Sequence, residues 1–309
     1  MSIVINLPVW RFHRGKNQYG TTFPNSIRTT NDYLMTTPDK LLLTIIITVM
    51  SFLPASAQYK LVWADEFDHD GAPDPNVWQP EKGFTRNHED QWYQGENAYC
   101  KGGYLIIEAK KERIKNPNYK AGSSNWKESR EYAEYTSASM ITRGKKSFQY
   151  GRFEMRAKID TRSGIWPAFW TLGEKGEWPD NGEIDIMEFY RGTLLANLAW
   201  GSNERYKPIW NTNKKQISTF NDPDWSSKFH VWRMDWDETS IKIYVDDLLM
   251  ASQDQAKAIN AKNKEITPFK QPHYILLGMA LGGDNGGDLS KTDFPARFEV
   301  DYVRVYQKQ

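Results

Sequence analysis

Residues 152–159 alternate without a break. Phe153, Met155, Ala157 and Ile159 are apolar, while Arg152, Glu154, Arg156 and Lys158 are charged. A period of two cannot sit on a helix and predicts a half-buried strand. Ile241, Ile243 and Val245 repeat the pattern and run into the turn-forming pair Asp246-Asp247. Residues 104–109 and 298–306 are further β-rich runs. Helical stretches are scarce, and residues 253–265 are the best candidate. From about Tyr59 onward, strands punctuated by Gly, Pro, Asn and Asp predict an all-β sandwich or barrel. Residues 282–287 read as a loop, because strand pattern resumes after them. With no repeat and no linker, a single domain is expected.

Composition narrows what such a domain can bind. Forty basic and thirty-nine acidic side chains leave a net charge of +1. A dedicated nucleic-acid or membrane-surface binder would need a basic excess, so a neutral partner is favoured. Cys100 is the single cysteine, which excludes an intramolecular disulfide and leaves stability to the core. Thirteen Trp suit both a sandwich core and flat platforms for sugar rings.

The N-terminus reads as processing signal. Lys40, the apolar run 41–53 and Ala55-Ser56-Ala57 form a secretory signal peptide cleaved after Ala57. The run is shorter than the about 20 residues that a membrane span needs. Met35 is then the expected start, residues 1–34 a non-native extension, 35–57 the signal peptide and 58–309 the mature domain. Export to the periplasm, cell surface or medium follows, with no membrane span in the mature form.

The chemistry concentrates in Glu183-Ile184-Asp185-Ile186-Met187-Glu188. On a helix, Glu183 and Asp185 would stand about 200° apart and Glu183 and Glu188 about 140°, with no common face. On a regular strand Glu183 and Asp185 share a face, but Glu188 points away. One β-bulge at Ile186-Met187 returns Glu188 to the acidic face, and bulges recur beside active sites. Ile184 and one residue of the Ile186-Met187 pair then face the core. The outer Cα atoms lie about 13 Å apart. Two inward-leaning Glu side chains can close this to a gap of about 5 Å, the spacing of a retaining glycosidase. Crowded carboxyls cannot all ionise cheaply, so one keeps its proton. Glu183 is assigned as nucleophile, Asp185 as its orienter and Glu188 as general acid. A metal site or a solvated acidic edge is the alternative, and the interleaved apolar residues count against the edge.

At this point the chain resembles a known family. Gly164-Ile-Trp-Pro-Ala-Phe-Trp-Thr-Leu-Gly173, Trp178-Pro179 and Gly182-Glu-Ile-Asp-Ile-Met-Glu188 are similar to glycoside hydrolase family 16, particularly its laminarinase-like β-glucanases. Trp63-Ala-Asp-Glu-Phe-Asp68, Tyr150-Gly-Arg-Phe-Glu154, Phe229-His230 with Trp236, and Val300-Asp-Tyr-Val-Arg-Val-Tyr306 extend the resemblance over residues 60–306. It implies a jelly-roll β-sandwich with a cleft on its concave face and endo-cleavage of β-linked polysaccharide with retention. The catalytic Glu, Asp and Glu fall on Glu183, Asp185 and Glu188, with Met187 as the extra residue of the bulged subgroup. It further implies that Trp178 stacks under the sugar beside the cleavage point. Trp166 and Trp170 share strand parity and can both face the cleft, with core packing as the competing account. Asn87 is expected near the glycone subsites, with Glu89 and Gln91 bracing its loop. No cofactor is implied for catalysis. A structural calcium is expected at Glu66, the Gly103 carbonyl and Asp301.

The sequence departs from the pattern at Ser139, where Arg is common, and at Gly278, where Asn is frequent. The usual His after the catalytic strand is missing from Leu195-Ala-Asn-Leu-Ala-Trp200. These changes blur substrate choice. The expected partner is a neutral β-glucan, β-1,3 or mixed β-1,3/1,4, acted on by a monomer. The alternatives are a transglycosylase or a hydrolase of marine galactan, for which Arg86, Arg143 and Arg191 are the candidate sulfate readers. A purely binding relative is disfavoured because all three acids remain.

Overall fold

The computed structural model describes residues 58–309, so the expected extension and signal peptide lie outside the described residues. The first strands are β1 (Tyr59–Asp65), β2 (Gln79–Pro80), β3 (Gln91–Tyr93), β4 (Ala98–Lys101), β5 (Tyr104–Ala109), β6 (Ile114–Lys115) and β7 (Tyr132–Ala133). Next come β8 (Tyr135–Ser137), β9 (Ser139–Ile141), β10 (Ser147–Phe148), β11 (Gly151–Lys158), β12 (Ile165–Gly173), β13 (Glu183–Tyr190) and β14 (Thr193–Gly201). The last are β15 (Pro208–Gln216), β16 (His230–Trp236), β17 (Ser240–Val245), β18 (Leu248–Asp254), β19 (His273–Leu281) and β20 (Ala296–Lys308).

Two eight-stranded sheets hold most of them. The outer sheet runs β18-β17-β16-β11-β20-β5-β4, with β1 also on β20. The cleft sheet runs β15-β14-β13-β12-β19-β9-β2, with β10 also on β19. Sequence neighbours are repeatedly split between the sheets, which is the winding of a jelly-roll β-sandwich. Among the described residues, no helix is long and apolar enough to cross a membrane.

The half-buried alternation of the sequence maps onto the outer sheet. Along β11, buried and part-exposed residues alternate at every step. Phe153 and Met155 of β11, Met234 of β16, Ile241 and Ile243 of β17, and Val303 of β20 enter the core. From the cleft sheet, Ile184, Met187, Phe189, Leu198, Leu277 and Met279 meet them. β14 and β19 are buried at every position. One face of each packs into this core, while the other forms the cleft floor.

The helix expected over residues 253–265 does not form. Gln253 pairs with Ile241 as part of β18, and the Asp254 carboxylate accepts from the Ala256 amide at 2.9 Å. That cap closes only a short 3-10 turn, Gln255–Lys257. Asn260 then holds the following loop, donating to the carbonyls of Asp180 and Ile266. Sheet pairing and side-chain bonds to loop backbone outweigh a modest helix propensity.

Candidate active site

The catalytic strand carries the expected irregularity. Against β14, Asp185 faces Asn197 and Glu188 faces Leu195, so three steps on β13 answer two on its neighbour. Against β12, Asp185 pairs with Trp170 and Met187 with Phe169, leaving Ile186 without a partner. Glu183, Asp185 and Glu188 all line one cleft of about 790 Å³. The core side differs from expectation, because both Ile186 and Met187 are buried in the core.

Each acid has its own partners. Trp178, in the β12–β13 connection, donates its indole N–H to Glu183 Oε2 at 2.5 Å. Trp166 on β12 donates to Glu188 Oε1 at 2.7 Å. Asn197 on β14 donates from one Nδ2 to Asp185 Oδ2 at 3.1 Å and to Glu188 Oε2 at 3.0 Å. Burial raises all three acids above the ordinary carboxylate range. For Asp185 the negative neighbours Glu183 and Glu188 add to burial and push it well above that range. Glu188 is pushed up to about 8, by burial first and by Glu183 next. Glu188 therefore holds a proton near neutral pH, as the crowding of three carboxyls requires. The contact between Asp185 and Glu183 raises the aspartate and lowers the glutamate, and Glu188 carries the transferable proton.

The four expected substrate residues all reach the cleft. Trp166 also meets Tyr190 edge-on at 5.4 Å. Trp170 packs with Tyr274 and Leu276 in a cluster of its own, separate from the main core, so it is part of the floor. Asn87 is exposed and sits on a loop held against the end of β19, where Asp90 N donates to the Leu281 carbonyl. Gly283 permits this contact: its φ is +62°, and a Cβ there would lie 2.6 Å from the Asn87 carbonyl. Glu89 and Gln91 are buried. Gln91 donates to Glu89 at 2.7 Å and accepts from Leu281 N at 2.7 Å, which is a bracing arrangement.

Three features escaped the sequence reading. Asn197 is the first. Its signal is an amide inside the run 194–200, which is otherwise apolar on both faces. The second is a relay at the far end of the floor: Ser139 donates to Glu81 at 2.6 Å, and Arg86 donates to both oxygens of Glu81. Arg86 lies over the Trp170 ring at 5.1 Å. Burial opposes its charge, but Glu81 beside it outweighs burial and raises the guanidinium above its ordinary range. The third explains two departures together. Ser139 pairs with Gly278, and a Cβ on Gly278 would meet Ser139 Cβ and Oγ at 3.2 Å. A small residue at one position therefore accompanies the serine at the other.

The expected calcium positions lie away from the cleft. Asp65 pairs with Val303 and Leu105 with Val300, which brings Glu66, Gly103 and Asp301 toward one corner of the outer sheet. Both carboxylates there are already neutralised. Arg304 donates to Glu66 at 2.7 and 2.8 Å, and Arg156 to Asp301 at 2.6 Å. Calcium needs six to eight oxygens, so these residues as arranged do not form its cage. Among the described residues no group of three or more His, Cys, Asp or Glu is placed to hold a metal ion.

This geometry can be set beside known proteins. A β-glucanase of Rhodothermus marinus is 36% identical over 262 residues, 81% of this chain and 85% of that protein. A solved structure from work on endo-acting O-glycanases, which prominent members of the human gut microbiota express to initiate mucin breakdown, superposes with a TM-score of 0.74. It is 35% identical and covers 83% of this chain and 93% of its own. The catalytic domain of an endo-1,3-β-glucanase (laminarinase) from Thermotoga petrophila RKU-1 superposes with a TM-score of 0.66 at 33% identity, covering 82% of this chain and 99% of its own. Residues 86–304 match the sequence model of glycosyl hydrolases family 16. That span takes in the bulged strand, both indoles that hold its outer acids and the asparagine between them, and the chain belongs to glycosyl hydrolase family 16.

Proposed function

We propose that the chain is a retaining, endo-acting hydrolase of β-glucan, with β-1,3 or mixed β-1,3/1,4 linkages. The observation that carries this reading is the Glu183–Asp185–Glu188 row on the cleft face, with an indole donating to each outer acid. Glu183 attacks the anomeric carbon while Glu188 gives its proton to the departing glycosidic oxygen. The covalent ester removes the charge on Glu183. Glu188, now without that negative neighbour, accepts a proton from water, which cleaves the ester and regenerates both acids. Asp185 orients Glu183 through its proton, and Trp178 stacks under the sugar beside the cleavage point. The glycone lies over β12, β19 and β9, toward Asn87.

The glucan assignment is supported by the similar β-glucanase and laminarinase, and by a floor rich in aromatic side chains. A sulfated galactan fits less well. Arg86 is neutralised by Glu81, and Arg191 donates to the Asp284 carbonyl at 3.3 Å. An O-glycan chain is the competing neutral substrate, favoured by the larger TM-score of that neighbour. Reducing-sugar release should be measured on laminarin, barley glucan, lichenan, agarose, carrageenan and mucin O-glycans. Cleavage confined to the last three would sink the glucan reading. Glu183→Ala should abolish hydrolysis, and azide should rescue it to a glycosyl azide of inverted configuration. Glu188→Ala should keep activity on aryl glycosides with good leaving groups, where the acid matters less.

We also propose that the mature enzyme is an exported monomer beginning at Gln58. N-terminal sequencing and light scattering of the secreted protein test this; a chain starting earlier, or a dimer, overturns it. Calcium binding at the Glu66 corner would require exchange of the two arginine pairs and would act on stability alone. A melting temperature that ignores both calcium and chelator would dismiss it.

A further inference from the structure

One large apolar side chain of the cleft is not part of its packed floor. Trp210 on β15 is 45% exposed. An indole left in water forfeits the stabilisation that burying it would bring. Its direction follows from strand parity. Pro208, Trp210, Thr212 and Lys214 line the cleft, while Ile209, Asn211 and Asn213 take the opposite face of β15. Register then ties this row to the chemistry. Trp210 pairs with Ala199, which pairs with Glu183. Thr212 lines up with Asn197 and Asp185, and Lys214 with Leu195 and Glu188. At about 4.8 Å per strand, the β15 row stands roughly 10 Å from the catalytic row.

β15 lies on the opposite side of β13 from β12, β19 and the Asn87 loop. On the glycone side Trp166 and Trp178 are committed to Glu188 and Glu183, and Trp170 is packed into the floor. Trp210 has no such task. The C–H face of a pyranose ring is apolar and fits flat on an indole, while its hydroxyls need donors and acceptors at the rim. Thr212 and Lys214 supply both on the same face.

We propose that β15 carries an aglycone-side sugar subsite. Trp210 is the stacking platform, and Thr212 and Lys214 bind hydroxyls of the sugar that leaves with the Glu188 proton. The ligand class is a neutral pyranose within a β-linked chain. This rests on the glycosidase reading above.

The test compares two substrates in wild type, Trp210→Ala, Trp210→Phe and Lys214→Met. One is a long oligosaccharide of the polysaccharide that the wild type cleaves. The other is an aryl glycoside with the same glycone, whose aryl group replaces the aglycone sugars. The ratio of kcat/KM on the oligosaccharide to that on the aryl glycoside should fall at least tenfold in Trp210→Ala and threefold in Lys214→Met. Trp210→Phe should keep most of it, and the bond cleaved in the oligosaccharide should shift in Trp210→Ala. An unchanged ratio and product pattern, or equal losses on both substrates, would overturn the subsite while leaving the glycosidase reading intact. A wild type that cleaves no β-glycan would remove that reading and the subsite together. A change in oligomeric state in Trp210→Ala with an unchanged ratio would instead make Trp210 a contact between chains at this sheet edge, and would overturn the proposal.

Discussion

Asn197 stands opposite Asp185 and shares one amide nitrogen between Asp185 and Glu188. Its Oδ1 is buried with no partner among the described residues, a state that costs about 1–3 kcal/mol. Its donor function offsets that cost. The amide stabilises the ionised forms of both acids and so restrains their upward shifts. An amide also does so without a charge or a titration of its own, which the missing histidine could not. Asn197→Ala should therefore lower kcat by about 10- to 100-fold, the worth of one or two hydrogen bonds to charged groups. The alkaline limb of kcat/KM, set by Glu188 near 8, should move to higher pH. Asn197→His returns a donor and should recover part of both effects. Rate–pH profiles of the three proteins decide it. If Asn197→Ala melts earlier but titrates like wild type, the residue only packs the floor.

The β13 bulge makes a prediction that belongs to the strand. Without Met187 the sequence becomes Glu-Ile-Asp-Ile-Glu, a regular alternation that still puts all three acids on one face. Deleting Met187 removes a core side chain, at about 2–5 kcal/mol, and displaces Glu188 slightly. Activity should fall by about 100-fold, as for a misplacement near 1 Å, but not vanish. Deleting both Ile186 and Met187 turns Glu188 into the core and should abolish it. Circular dichroism and kinetics on both proteins test the pair; an inactive, folded single deletion would show that the bulge itself is required. The same strand shows why part of the fold was legible and part was not. β11 and β17 are half-buried, so their alternation writes the fold into the sequence. β14 and β19 are covered on one face by the core and on the other by the cleft, and their apolar runs carry no period. The three acids could be put on one face from spacing alone. Asn197 and Trp210 could not be assigned, because their roles depend on which residues stand beside them across β13, β14 and β15. Residues 253–265 misled for a related reason: local propensity is visible in sequence, whereas pairing with β17 is not.

Across the whole molecule, the active site should oppose folding on the alkaline side. The acid-side limit comes from groups such as Asp237. Burial works against its ionised form, but bonds from Thr239 and Ser240 outweigh burial and hold it below its ordinary value of 3.8. Its contribution is present above 3.8 and lost as pH falls below it. Glu188 behaves oppositely. Its folded value of about 8 lies above the 4.5 of an unperturbed Glu, so between these values the folded state holds a proton that the unfolded state has lost. Stability then decreases as pH rises, from no cost below 4.5 to the full cost above about 8. Glu183 and Asp185 are raised as well and add to the same slope. Glu188→Gln removes one titration while keeping a side chain that Trp166 and Asn197 can still reach. It should melt close to wild type at pH 4 and clearly above it at pH 9. Melting curves across that range isolate the effect, because lysine, tyrosine and cysteine titrations are common to both proteins. A constant difference at every pH would mean that Glu188 is not the proton holder, and the general acid would have to be sought in another carboxyl.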